Sequence, residues 1–409
     1  MVRHIYTFGI QLYSLLVLLA SFFSSKAKSW IKGRQKQSKN WQNQNFSHGE
    51  WVWFHAASLG EFEQGRPLME AIKTQYPKYK ILLTFFSPSG YEVRKNYEFA
   101  DQVAYLPADT PQNAIDFIGL FNLKAVFFIK YEFWFNFMFA IHHKKIPLYF
   151  IAAKFRAKQH FFRWYGGWAR KQLQLVNHFF VQDELSALLL KDIDVSQATV
   201  CGDTRFDRVF QLSQNALQLP VIEKFKANRR LFVMGSTWPE DEKMLLPIIE
   251  ELESDIAVVI APHDISSKHI QNIETKLQST FVRYSNFSEE KQTKVLIIDN
   301  IGILSSIYAY ADFAYVGGGF GKSIHNIQEA VTYGCPVIVG PKHKHFSEAV
   351  DLIDLGGVFE VSNANTLFSL VSRLIRDNDF RQKAAEICRF YVAKQIGATE
   401  KIMQQLFPL

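Results

Sequence analysis

The sequence predicts an α/β protein made of two doubly wound domains. Strand-like apolar runs alternate with helix-like segments along most of the chain, and these runs fall into two successive series. The length agrees, since 409 residues are long for one domain and comfortable for two. An apolar fraction of 48% with 15% aromatic residues supplies sizeable cores and excludes a disordered chain.

The first series reads "WVWFH" (51–55), "KILLTFF" (80–86), "KAVFFIK" (124–130), "PLYFIAA" (147–153) and "HFFVQ" (178–182). Between the first two lies "EFEQGRPLMEAIKTQY" (61–76), whose Phe62, Leu68, Met69, Ile72 and Tyr76 share one helical face. The second series reads "RLFVMGS" (230–236), "IAVVIAPH" (256–263), "VLIID" (295–299), "FAYVGG" (313–318) and "PVIVGP" (336–341). Nearly continuous apolar strands separated by helices indicate parallel sheets buried on both faces. The series meet near residues 205–228, which gives domains at 50–207 and 208–409 facing a cleft, with the last helix able to pack back on the first domain.

Ahead of them stand a candidate anchor with a basic flank (1–34) and a polar linker (35–49). Residues 5–25 carry no charge, close to the roughly 20 residues that cross a bilayer as a helix. Lys26, Lys28, Lys32, Arg34, Lys36 and Lys39 follow, against Arg3 alone on the other side, so the positive-inside rule places the remainder in the cytoplasm. A helix that spans the bilayer and one that lies on it both fit this pattern. Seven of the 46 Lys/Arg and one of the 39 Asp/Glu lie in the first 50 residues, which leaves the rest near neutral. A general nucleic-acid footprint is therefore not supported. Cys201, Cys335 and Cys388 are scattered, which suits a reducing compartment and argues against a structural zinc site.

Doubly wound sheets bind ligands beyond the carboxyl ends of their strands, so the post-strand loops are the places to search. In "YVGGGFGKSIHN" (315–326), Val316 stands where a nucleotide-hydrolase P-loop needs its first glycine, and Lys322 where a dinucleotide fingerprint needs its third. What remains is a strand, a glycine turn and a helix from about Asn326, an arrangement that attracts anions or simply turns tightly. Glu61 follows a strand and a small-residue loop; Ser58-x-x-Glu61 reads as a capping box or as a carboxylate available as a general base. In "GSTWPEDE" (235–242), Ser236 or Thr237 caps a helix or holds a phosphate oxygen. Asp192 and Asp194 form a D-x-D at the wrong end of the sheet and read as a solvated turn. The twelve histidines show no metal-binding spacing. The aromatic stretch 127–139 reads as a core strand entering a buried helix. In 161–171, Arg163, Arg170 and Lys171 stand beside Trp164, Tyr165 and Trp168, a mixture suited to a membrane interface or an amphipathic acidic substrate.

Assembled, these motifs resemble the Kdo transferases, which attach 3-deoxy-D-manno-octulosonic acid (Kdo) to a lipid A precursor. The resemblance rests on "HAASLGE" (55–61), "SPSG" (87–90), "GDTRFD" (202–207), "GSTWPEDE" (235–242) and "VGGGFGKSIHNIQEA" (316–330) followed by "GP" (340–341). It implies a GT-B fold, with a lipid acceptor on the first Rossmann-like domain and CMP-Kdo on the second. It also implies inverting transfer without metal or cofactor, with Glu61 as general base. Donor contacts would come from Ser236, Thr237, Pro262, His263, Gly317, Gly318, Gly319, Ser323, His325 and Asn326, with Glu329 on the ribose hydroxyls. Ser87, Ser89, Gly90, Glu132 and Lys154 would lie on the acceptor side. The setting implied is lipopolysaccharide core biosynthesis at a bacterial inner membrane, catalytic domains on the cytoplasmic side. The chain departs from the family pattern in four places. "KYEFWFN" (130–136) stands for "ETELWPN", Ala261-Pro262-His263 for P-R-H, Lys154 for arginine and His345 for asparagine. Another membrane-associated GT-B enzyme with a different nucleotide sugar, and a tethered nucleotide binder without activity, remain as alternatives.

Overall fold

Two compact units make up the chain in a computed structural model that describes residues 1–41, 44, 46–289 and 292–407. Unit 1 comprises Met1–Asp207 with Gly397–Leu409, and unit 2 comprises Arg208–Ile396. In unit 1 the strands are β1 (Glu50–Ala56), β2 (Tyr79–Phe85), β3 (Gln102–Tyr105), β4 (Leu123–Ile129), β5 (Leu148–Ala153), β6 (His178–Val181) and β7 (Ala198–Val200). They form one parallel sheet in the order β3-β2-β1-β4-β5-β6-β7. Side chains alternate along each strand. Trp51 and Trp53 of β1 join a core with Phe117, Phe128 and Phe137, whereas Val52 and Phe54 join another with Phe62, Met69 and Phe127. Burial on both faces is why these strands read as continuous apolar runs.

Unit 2 repeats the plan with β8 (Arg230–Thr237), β9 (Ile256–Pro262), β10 (Phe281–Arg283), β11 (Val295–Ile297), β12 (Phe313–Val316), β13 (Val337–Val339) and β14 (Val358–Glu360). Their order is β10-β11-β9-β8-β12-β13-β14, again all parallel. In each sheet the winding reverses beside the first strand, between β1 and β4 and between β8 and β12. These switch points leave the carboxyl ends of the central strands uncovered for ligands. The ten strands expected from sequence are present. The four others, β3, β7, β10 and β14, are the outermost strands of the two sheets and only three or four residues long.

The stretch expected as a polar linker from residue 35 is helical as far as Trp41, and its residues 42, 43 and 45 lie outside the described residues. Side chains explain the helix. Arg34 donates to the backbone of Leu106 and Phe86, and Gln37 bonds both the N–H and the carbonyl of Tyr105. The last helix, Ala398–Leu406, packs on Leu59–Gln75 in unit 1. Asp207 clasps its start, accepting from the N–H groups of Gly397 and Thr399 and from the Thr399 hydroxyl, each at 2.6 Å.

The Val2–Ala20 helix is long and apolar enough to cross a membrane, and one of its faces is docked on unit 1. Arg3 Nε donates to Asn136 Oδ1 (2.9 Å), the Tyr6 hydroxyl to Asp109 Oδ2 (2.5 Å), and Asn136 Nδ2 to Thr7 Oγ1 (3.1 Å). Tyr6 meets Phe135 edge-on, and Tyr13 stacks on Phe86. The other face presents Ile5, Phe8, Leu12, Leu15, Leu16 and Leu19, all exposed, and Phe22 and Phe23 follow at 77% and 95% exposure.

Candidate active site

In unit 1 the carboxyl end of β1 delivers His55 and the loop to Glu61, in the first turn of the Leu59–Gln75 helix. The expected capping box is not formed. Ser58 is the N-cap residue, but its side chain caps no backbone N–H; the hydroxyl donates to Glu61 Oε2 instead. Glu61 thus presents a carboxylate held by one hydroxyl in the first turn of its helix. The end of β4 brings up a second carboxylate. Glu132 Oε2 accepts from the Trp134 indole (2.8 Å) and lies 3.3 Å from Nε2 of His55. His55 is fully buried; the same indole N–H reaches its Nε2 at 2.9 Å, and its Nδ1 faces Thr84 Oγ1 at 2.8 Å. The Trp134 N–H is thus shared between His55 Nε2 and Glu132 Oε2, which ties the ends of β1 and β4 together.

Three non-glycine residues at the carboxyl ends of these strands adopt left-handed backbone conformations: Lys130 (φ 66°), Ala152 (φ 50°) and, in unit 2, Ser236 (φ 53°). Each such residue costs on the order of 1–3 kcal/mol, and such strain concentrates at functional sites. After Lys130, Tyr131 bonds Arg156 and lies within electrostatic reach of Asp183 and Glu61. Burial raises its phenol pKa, Arg156 opposes the rise, and Asp183 and Glu61 reinforce it. Lys154, beyond β5, pairs with Asp183 at 3.3 Å. Ser87 caps the short Pro88–Arg94 helix by accepting from the Ser89 N–H, and the two hydroxyls are 2.8 Å apart. Gly90 is buried, and a Cβ there would strike the Phe85 ring, so packing rather than a ligand explains this glycine. The "GDTRFD" residues are likewise tied up within the unit: Arg205 pairs with Asp203, and the Thr204 hydroxyl donates to the Gln64 carbonyl.

In unit 2 the loops after β8, β9 and β12 converge at the switch point. Neither Ser236 nor Thr237 caps the Pro239–Glu251 helix. Trp238 is the N-cap residue, and Asp241 reaches back to accept from its N–H at 3.0 Å. The Thr237 hydroxyl is buried and committed to Glu242 (3.1 Å), which also meets His269 at 2.9 Å. Asp241, fully buried, accepts in addition from the Tyr315 hydroxyl (2.8 Å) and from the N–H of Gly318 (2.7 Å). The Gly318 N–H is therefore not free for an anion, and that of Gly317 goes to the Gly235 carbonyl. Gly318 has φ +93°, and a Cβ at Gly319 would lie 2.6 Å from the Gly340 Cα, so close backbone approach requires these glycines. Ser323 is partly exposed on this loop, beside the turn at Gly318. The helix expected from Asn326 begins at Gln328 and has five residues; Asn326 Oδ1 accepts from the Gln328 N–H. Glu329 has its pKa raised by burial, opposed by a hydrogen bond from Asn326.

Above these loops sit three stacked rings. Exposed His263, directly after Pro262, lies between Trp238 (centroids 4.4 Å apart) and His325 (4.5 Å). The Trp238 indole donates to His325 Nε2 at 2.7 Å. Burial, then the neighbouring His263, lowers the pKa of His325, while Asp241 opposes. The ring is accordingly neutral at pH 7, and its proton is on Nδ1. Pro262 thus stands at the end of β9 where the family pattern has arginine, and the histidine that follows it lies between two rings. Trp238, Asp241, His55, Trp134, Tyr131 and Arg156 were not singled out as site residues from the sequence. His55 in "HAASLGE", Tyr131 and Trp134 in "KYEFWFN", and Trp238 and Asp241 in "GSTWPEDE" lay within quoted motifs, whereas Arg156 carried no signal.

A family model described as 3-deoxy-D-manno-octulosonic-acid transferase (kdotransferase) matches residues 28–208. Curated transferases of the same name extend the similarity over most of the chain. That of Haemophilus influenzae is 25% identical over 374 residues, covering 87% of this chain and 86% of its own. Along most of its length the chain is thus similar to Kdo transferases, which are glycosyltransferases. The transferase of that name from Aquifex aeolicus is 26% identical, covering 84% of this chain and 92% of its own. Among solved structures, the UDP-GlcNAc 2-epimerase of Neisseria meningitidis bound to UDP-GlcNAc has a TM-score of 0.62 at 18% identity, over 88% of this chain and all of that one. At that identity the likeness speaks to fold alone, and that fold is GT-B.

Proposed function

We propose that the protein transfers Kdo from CMP-Kdo to lipid IVA, a lipid A precursor, in lipopolysaccharide core biosynthesis, with inversion and without metal. The observation that carries this reading is Glu61, turned from helix capping to a bond with Ser58 at the switch point of the first sheet. Glu61 takes the proton of the acceptor hydroxyl as that oxygen attacks the Kdo anomeric carbon. The new C–O bond forms while the bond to the CMP phosphate oxygen breaks, and CMP leaves as the anion. Donors of unit 2 stabilise that charge. The His325 Nδ1–H, Ser323 and Asn326 remain for this task, since the Gly318 N–H and Thr237 are already committed. Glu329, held by Asn326, would receive the ribose hydroxyls. On the acceptor side Glu132, Lys154, Ser87 and Ser89 would contact the acceptor, with Lys154 and Arg156 suited to an anionic one.

The exposed apolar face of the Val2–Ala20 helix, with the basic residues that follow it, supports attachment to the inner membrane from the cytoplasmic side. Because its opposite face is docked on unit 1, the helix lies in the interface rather than through it. The test is transfer by detergent-purified protein from CMP-Kdo made in situ to lipid IVA, read by mass spectrometry. Glu61→Gln should lose transfer by about 100-fold or more while keeping CMP affinity. Full activity of that variant would remove Glu61 from the mechanism, and binding of UDP in preference to CMP would overturn the donor.

A further inference from the structure

On the outer side of unit 1, the start of the Val2–Ala20 helix crosses the Pro111–Gly119 and Phe135–His143 helices and leaves a cavity of about 430 Å³. That size falls within the roughly 300–1,000 Å³ of small-molecule sites. Its floor is apolar, with Ile115, Ile118, Phe139 and Ala140, and Ile115 and Phe139 are 53% and 39% exposed. Its rim is basic: Arg3, His4, His143 and Lys144 line it, and among the described residues no acidic side chain does. The Arg3 guanidinium lies 3.9 Å over the Phe139 ring, its direction fixed by the bond to Asn136. Arg3, His4 and Thr7 line it from the helix whose Ile5 and Phe8 are exposed.

We propose that this cavity binds the acyl chain of an anionic phospholipid, whose phosphate sits at the basic rim beside Arg3 and Lys144. This rests on the interfacial placement of the helix given above. An apolar floor alone would accept any chain, but four basic groups without a lining acid select a negative headgroup. The site is separate from the reacting centre. The Phe135–His143 helix starts beside Trp134 and turns Phe139, Ala140 and His143 to the cavity, about 6 to 12 Å further along its axis at 1.5 Å per residue. Its occupant is therefore a lipid of the surrounding membrane that fixes how unit 1 is seated.

The test uses full-length protein in detergent, mixed with equal amounts of phosphatidylglycerol and phosphatidylcholine, with retained lipid read by native mass spectrometry. Flotation on vesicles of the same two lipids runs in parallel. Wild type should retain one phosphatidylglycerol per chain, about fivefold or more over phosphatidylcholine. Ile115→Trp, at a half-exposed position, should fill the cavity and lose the retained lipid. The double change His143→Glu with Lys144→Glu should abolish the headgroup preference. Both variants should still float, because the apolar helix face is intact. No retained lipid in a wild type that floats, equal retention of the two lipids, or undiminished retention in Ile115→Trp would overturn the proposal. Retention without flotation would leave the cavity assigned and refute the interfacial helix instead.

Discussion

Glu61 and Ser58 show how one hydroxyl decides between two readings of a short motif. Had the serine capped its helix, the carboxylate would have reached back to the backbone; here each is the other's partner. In unit 2, Trp238 plays a comparable part for His325. Trp238→Phe would keep a ring against His263 but remove the N–H that fixes His325. CMP affinity should then fall about three- to tenfold, the worth of a typical hydrogen bond, with thermal stability nearly unchanged. Isothermal calorimetry against CMP measures the first and a melting curve the second. Asp241 is different in kind, since three donors converge on it inside the fold. Asp241→Ala leaves the Tyr315 hydroxyl and the Gly318 N–H buried without an acceptor, and should cost roughly 2–5 kcal/mol by denaturant titration.

At the scale of elements, the glycine loop and the loop containing Gly340 touch backbone to backbone, so neither tolerates a side chain at the contact. Gly319→Ala should therefore force the loops after β12 and β13 apart and weaken CMP binding more than it lowers stability, a split that calorimetry and melting together resolve. The last helix depends on a single carboxylate. Asp207→Ala removes three hydrogen bonds at its start and should destabilise that helix by roughly 1–2 kcal/mol, as lost caps do. Hydrogen exchange at Gly397, Thr399 and the following amides should quicken while β1 and β4 stay protected.

For the molecule as a whole, stability carries a pH signature at Asp109, buried beneath the Val2–Ala20 helix. Burial raises its pKa to about 6, against the opposing bonds from Tyr6 and from the N–H groups of Asn136 and Phe137. A carboxyl raised above its unfolded value contributes stability that is complete below about pH 4 and lost as the pH rises through about 6. The difference amounts to roughly 3 kcal/mol. Asp109→Asn, which cannot ionise, should flatten unfolding stability across that interval relative to wild type, as chemical denaturation from pH 4 to 8 would show. Equal slopes in the two proteins would place the ionisation elsewhere.

The sequence by itself determined the class and plan of this protein. Strands buried on both faces must be apolar along their whole length, so β1, β2, β4, β5 and β6, and their counterparts β8, β9, β11, β12 and β13, stood out as runs. Ordered motifs such as "HAASLGE" and "GSTWPEDE" marked the loops that the two switch points do uncover. The edge strands β3, β7, β10 and β14 were silent because a strand paired on one side needs few residues and little hydrophobicity. Only the tertiary structure decided which donor meets which acceptor. Asp241 reaches Tyr315 74 residues away, Trp238 reaches His325 87 away, and Trp134 reaches His55 79 away. Such partners are fixed by strand order, and a linear motif carries no record of distance in space. The same holds for the first helix: its apolar run was plain in the sequence, but the face tied down by Arg3, Tyr6 and Thr7 was set by Asp109 and Asn136, more than a hundred residues on.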